Sequence, residues 1–231
     1  MLGVFVNSIV VLVLGLLGSL VGHRFPKKTQ DSIMKFLPLC VLIVGIKSAL
    51  EGNVIIMIIS IVLGLIIGDA INIEGKLDTF TNFLMKKFVK DQDENFSEGF
   101  ISASLIFCVG SMAILGAIDA GVKGNNEILF TKSLMDGITA FFLAATFGKG
   151  VAFSSLPIFL YQGLMVFLSG FLLPIFTPEV AGNLSGTGGV IIIAICLSML
   201  KLVDFKIANS MPAIFIPIIY GVILKFIKKK D

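Results

Sequence analysis

The chain has 231 residues, of which 56% are hydrophobic and only 14% charged, and its mean hydropathy is +1.02. Soluble domains carry about a quarter charged residues, so this composition indicates a polytopic membrane protein and leaves no soluble stretch for an appended enzyme domain. The formal net charge of +3 says little about partners, because the basic runs border apolar segments; no nucleic-acid partner is expected.

A spanning helix needs roughly 20 apolar residues, which gives candidates at 2–22, 34–50, 54–71, 98–118, 128–147, 152–175, 184–202 and 206–226. The expected fold class is all-α: a polytopic transmembrane helix bundle of seven to eight spans forming one integral membrane domain over 1–231. The first run lacks a basic leader and a small-residue cleavage site, so it reads as a retained helix rather than a signal peptide. Segments 34–50 and 54–71 meet at Glu51-Gly52-Asn53, the turn of a helical hairpin.

Small residues recur every four positions in the first helix (Gly3, Asn7, Val11, Gly15, Ser19) and the third (Ser60, Gly64, Gly68, Asn72). Such stripes let helices approach closely in lipid and suggest a homodimer; the alternative is that Asn7 or Asp69 faces a cavity. Leu77, Phe80, Leu84 and Phe88, ringed by Lys86, Lys87 and Lys90, predict an interfacial amphipathic helix over 75–92. Basic residues at 24–35 and 76–90 place those loops in the cytoplasm and the N-terminus outside. The Lys225–Lys230 tail lies outside if all eight candidates span, and inside if 128–147 is re-entrant. The charge balance does not separate the two, and eight is preferred. A shift of 152 residues aligns Gly18 with Gly170 and Pro26 with Pro178, suggesting repeat halves 1–72 and 153–226 around a central 98–150 unit. With eight spans the repeats are inverted and accompanied by discontinuous helices, a common transporter build.

The polar residues inside apolar runs carry what chemistry there is. Asp136 lies one helical turn from Lys132, so the two can pair. The pair is either solvated at the interface or buried beside a pathway, where a carboxylate costs about 2.5–3.5 kcal/mol. Ser133 adjoins it, and Ser111, Ser154 and Gln162 offer neutral contacts; an amide such as Gln162 must find a partner in an apolar helix. Gly186, Thr187, Gly188 and Gly189 are expected just before a helix, where free N–H groups form a backbone anion or solute site. Asn209 sits beside Pro212 and Pro217 in an interrupted last helix whose freed carbonyls either coordinate a cation or mark a bend. Lys149, between two glycines, is expected at the water boundary, and His23 at the interface. Cys40, Cys108 and Cys196 are too widely spaced for a metal site. With no catalytic, nucleotide or metal motif, neither an enzyme nor a cofactor nor a metal is expected.

The runs FCVGSMAILGAIDAG (107–121), KSLMDGITAFFLAATFGKGVAFSSLPIFLYQG (132–163), GLIIGDAINIEGKL (64–77) and GTGG (186–189) resemble the prokaryotic YqgA/YdfK-like membrane family, the DUF554 group, over nearly the whole chain. The resemblance marks Lys132, Ser133, Asp136, Gly137, Ser154, Gln162 and Gly163 as signature positions. It implies a polytopic inner-membrane protein grouped with candidate transporters, and it names no substrate. The expected function is therefore a secondary transporter or channel for a small solute or ion, with Asp136 as a proton or cation site. The alternative is a non-transporting structural or regulatory membrane protein.

Overall fold

A computed structural model describes residues 1–22, 24, 26–88 and 95–228. The expectations for His23, Lys90, Lys229 and Lys230, and for the end of the amphipathic helix at 89–92, lie outside the described residues. Those residues fold into α1 (Leu2–Gly22), α2 (Lys27–Ala49), α3 (Val54–Ile71), α4 (Ile73–Phe88), α5 (Phe96–Cys108), α6 (Ser111–Val122) and α7 (Glu127–Phe147). Then follow α8 (Gly150–Phe153), α9 (Ser155–Phe167), α10 (Ser169–Leu172), α11 (Pro178–Met199), a 3-10 stretch (Ile207–Phe215) and α12 (Ile216–Lys228). Among the described residues, six helical segments are long and apolar enough to cross a membrane, and counting the bent pair α5–α6 as one makes up to seven.

The breaks fall elsewhere than the apolar runs suggest. Segment 128–147, the candidate for a re-entrant element, is the uninterrupted 21-residue α7, about 31 Å long at 1.5 Å per residue. The expected straight span 98–118 is instead bent by 60° at Val109-Gly110. Gly110 sits at φ 122° and ψ 143°, a conformation that a side chain disfavours, so the glycine sets the break. The expected helix 184–202 starts earlier, at Pro178: Thr177 Oγ1 accepts the Val180 N–H at 3.3 Å and the proline occupies the first turn, where its missing donor costs nothing. The expected single run 152–175 is divided at Ser154 and Leu168. In the last segment Pro212, which can neither donate nor fit an α-helical turn, lies inside nine residues of 3-10 helix.

The stripes of small residues act as packing surfaces. α1 and α7 run side by side in the same direction, Gly3 against Leu129, Gly18 against Phe141 and Gly22 against Ala145. Gly64 and Gly68 of α3 face Ala213 and Asn209 of the 3-10 stretch, and Gly189 of α11 faces Ala49 of α2. On α4, Leu84 is buried, Phe80 packs against Phe100 of α5 with ring centroids 6.2 Å apart, and Phe83 stays exposed under Lys87.

Candidate functional site

α1, α7 and α9 bring their polar side chains to one place. Asp136 is the tenth of the 21 residues of α7, about midway along a helix that matches the ~30 Å hydrocarbon thickness. Its Oδ2 accepts from Lys132 Nζ at 2.5 Å and from Asn7 Nδ2 at 3.1 Å. Asn7 Nδ2 also reaches Gln162 Oε1 at 3.3 Å. Asn7 and Gln162 are fully buried, and Lys132 and Asp136 are 6% and 7% exposed. The ion pair is thus buried in this structure rather than exposed at its surface.

The network is not closed. Asn7 Oδ1 and Gln162 Nε2 are buried without a hydrogen-bond partner among the described residues, and so are Ser8 Oγ and Tyr161 OH. One free acceptor and one free donor thus flank a charge-neutral pair, each carrying an uncompensated desolvation cost of about 1–3 kcal/mol. Cys108, the last residue of α5, lies within electrostatic reach of Lys132, Asp136 and Tyr161. The α5–α6 break follows directly on Cys108. α5 ends its carbonyl ladder there and α6 starts without a side-chain cap; helix ends present N–H and C=O groups that the helices themselves do not pair.

The other expected residues are placed differently. Ser133 and Ser154 are buried, but each hydroxyl donates at 2.6 Å to a carbonyl one turn back, of Leu129 and Val151 respectively. Ser111 is half-buried at the first turn of α6, beside the break. Lys149 is half-buried in the Gly148–Gly150 turn.

The glycine run requires a correction. Gly186, Thr187, Gly188 and Gly189 lie in the middle of α11, so their N–H groups belong to its ladder and form no helix-terminal anion site. The bareness of the run serves packing: Gly186 touches Gly52, Gly188 receives Val109 of the α5–α6 break, and Thr187 Oγ1 donates to Asn183 O at 2.8 Å.

Asn209 also stands apart from Asp136. Its Nδ2 donates to Asp69 Oδ1 at 2.6 Å and its Oδ1 accepts the Glu74 N–H at 2.8 Å. Glu74 Oε2 in turn accepts the Ala208 N–H at 2.8 Å. These bonds clamp the α3–α4 corner to the 3-10 stretch, with Asn72 in the left-handed conformation at φ 49°. Burial raises the Glu74 carboxyl above its usual 4.5, against the lowering effect of the Ala208 N–H. A raised carboxyl makes the folded state bind protons more readily than the unfolded one. Its contribution to stability is therefore lost as pH rises from 4.5 through the raised value. Glu74→Gln keeps an acceptor for Ala208, and thermal unfolding of the wild type relative to this variant should show that decline.

Asn7, read from the sequence as packing or cavity-facing, is a member of the network, and Cys108, read from the sequence only as too far from the other cysteines for a metal site, lies within electrostatic reach of it. The signal for Asn7 was an amide alone in an apolar helix; Cys108 had none.

The comparisons with known proteins place the chain in one family. The family model described as "Protein of unknown function (DUF554)" matches residues 2–222. The chain is similar to "Uncharacterized membrane protein YdfK" of Bacillus subtilis (strain 168), 29% identical over 222 residues and covering 94% of each chain. It is also similar to "Uncharacterized protein YqgA" of Escherichia coli (strain K12), 28% identical over 220 residues, 93% of this chain and 94% of the relative. No solved structure matches. An all-helical chain with membrane-length helices, matched from its first helix into its last, belongs to the DUF554 family.

Proposed function

We propose that the protein moves a small polar solute or ion across the inner membrane, with Asp136, Lys132, Asn7 and Gln162 as its binding site in an occluded state. The observation that carries this reading is the pair of unfilled amide groups, Asn7 Oδ1 and Gln162 Nε2, beside a buried ion pair. A solute bearing one donor and one acceptor would fill both. Lys132 occupies the position that a coupling proton or cation would take on Asp136, so the ammonium acts as a tethered competitor. Release of that contact, with movement about Gly110, opens the site to one side. Intramembrane ionisable residues near broken helices are the usual mark of such pathways.

In this reading α2 joins the other segments to give eight passes, with both termini outside. The proposed repeats are then inverted. The packing of α2 on α11, and of α3 on the 3-10 stretch, supports that assignment, because helices equivalent under the 152-residue shift meet. Proteoliposome flux of protons, sodium, potassium and small neutral solutes tests the reading. Asp136→Asn and Gln162→Ala should each lower the conducted flux at least ~10-fold, the scale of about 1.4 kcal/mol. Wild-type flux in both variants removes these residues from the mechanism.

The second reading is a non-transporting membrane protein. It is favoured by the direct Lys132–Asp136 contact and by three cavities that are lined by other residues. Absence of flux for every probe, with Asp136→Asn failing to fold, would select it.

A further inference from the structure

A second polar region lies away from the Asp136 network, at the corner where α3 turns into α4. There α4, the start of α5, the end of α11 and the loop leading to the 3-10 stretch enclose a half-open cavity of about 520 Å³. The loop is fixed by Ser198, whose hydroxyl donates to Val203 O at 3.2 Å and accepts the Phe205 N–H at 3.4 Å. Lys201 enters it in the left-handed conformation at φ 55°.

The walls are one-sided in charge. Glu74, Asp78, Glu98 and Asp204 line the cavity against a single cation, Lys201. On the cavity floor is Ser102, 3% exposed, with no hydrogen bond to its hydroxyl among the described residues. Ser104, one turn of helix from Phe100, instead bonds back to that residue's carbonyl. A buried hydroxyl left open toward a cavity is an acceptor for a ligand's N–H. Ile101, Leu202 and Phe205 line the same space, so it also has apolar wall.

We propose that this cavity binds a small organic ammonium ion, its charged head among the carboxylates and Ser102 and its alkyl part on Ile101, Leu202 and Phe205. A bare metal ion fits less well. Among the described residues no three Asp, Glu, His or Cys side chains converge as metal ligands, and the volume falls in the range of small-molecule pockets, about 300–1,000 Å³. Carboxylates spread around a mixed polar and apolar bowl attract a diffuse cation without chelating it. The site is independent of transport through Asp136, because binding is measured without flux.

The test uses the full chain in nanodiscs of zwitterionic lipid, titrated calorimetrically with n-butylammonium, with butyrate and with magnesium. Saturable binding is expected for n-butylammonium alone. Glu98→Gln/Asp204→Asn should weaken it at least ~10-fold, and Ser102→Ala should weaken it several-fold with all four carboxylates in place. Circular dichroism and gel filtration of each variant identify any loss of fold. No saturable n-butylammonium binding, equal binding of butyrate, tighter binding of magnesium, or unchanged affinity in both folded variants would each overturn the assignment.

Discussion

Replacing Lys132 by methionine should destabilise the protein by about 3–5 kcal/mol, the cost of leaving a buried charge without its partner. Asp136 would keep only the Asn7 Nδ2 contact at 3.1 Å, and an amide is a poor substitute for an ammonium at 2.5 Å. The double variant Lys132→Met/Asp136→Leu should recover most of that loss, since swapping a buried pair for packed apolar groups is often neutral or better. Recovery will be incomplete by about 1–3 kcal/mol, because Asn7 then loses an acceptor. Unfolding in bicelles by denaturant titration measures all four corners of the cycle. A single-variant cost below about 1 kcal/mol would mean that the pair is solvated, as exposed ion pairs are.

That cycle also separates the two functional readings. If the pair only held α7 in place, the double variant would regain both stability and whatever activity the wild type has. If Asp136 carries a proton or cation, stability returns and flux does not. Stability and transport thus provide independent readouts of the same four proteins.

The helical class and the main polar residues were legible because each rests on local chemistry. Apolar runs of about 20 residues declare membrane helices, and a Lys and an Asp one turn apart declare a pair. What a linear reading could not supply was which helices meet. Asn7 and Gln162 are separated by 155 residues and share a hydrogen bond; nothing in either segment points to the other. The breaks were misassigned for a related reason. Gly110 and the glycines of 186–189 look alike in sequence, yet only Gly110 adopts a positive φ. The glycines of α11 remain helical because packing against α2, the Gly52 turn and Val109 outweighs their poor helix propensity of about 1 kcal/mol each. The start of α11 is legible in Thr177-Pro178-Glu179, which has a capping threonine, a first-turn proline and an acidic first-turn residue.

The second large effect is expected at Gly18. A β-carbon added there would lie 2.1 Å from the Phe141 carbonyl oxygen and under 3 Å from two further backbone atoms of the same residue. Backbone cannot rotate aside as a flexible side chain can, so Gly18→Ala must push α1 away from α7. Overpacking of this kind typically costs 1–3 kcal/mol. The displacement also acts on the network, because α1 carries Asn7, which touches Asp136 and Gln162; those bonds lengthen as the helices separate. Gly170→Ala supplies the contrast. Nothing lies within 4 Å of the added carbon there, and alanine is the better helix former by about 0.5–1 kcal/mol, so this variant should unfold no earlier than the wild type. If the two alanine variants behaved alike, the α1–α7 contact would not be the tight backbone interface described above. A large loss at Gly18 alone would mean that the stripe of small residues sets the height at which Asn7 meets Asp136.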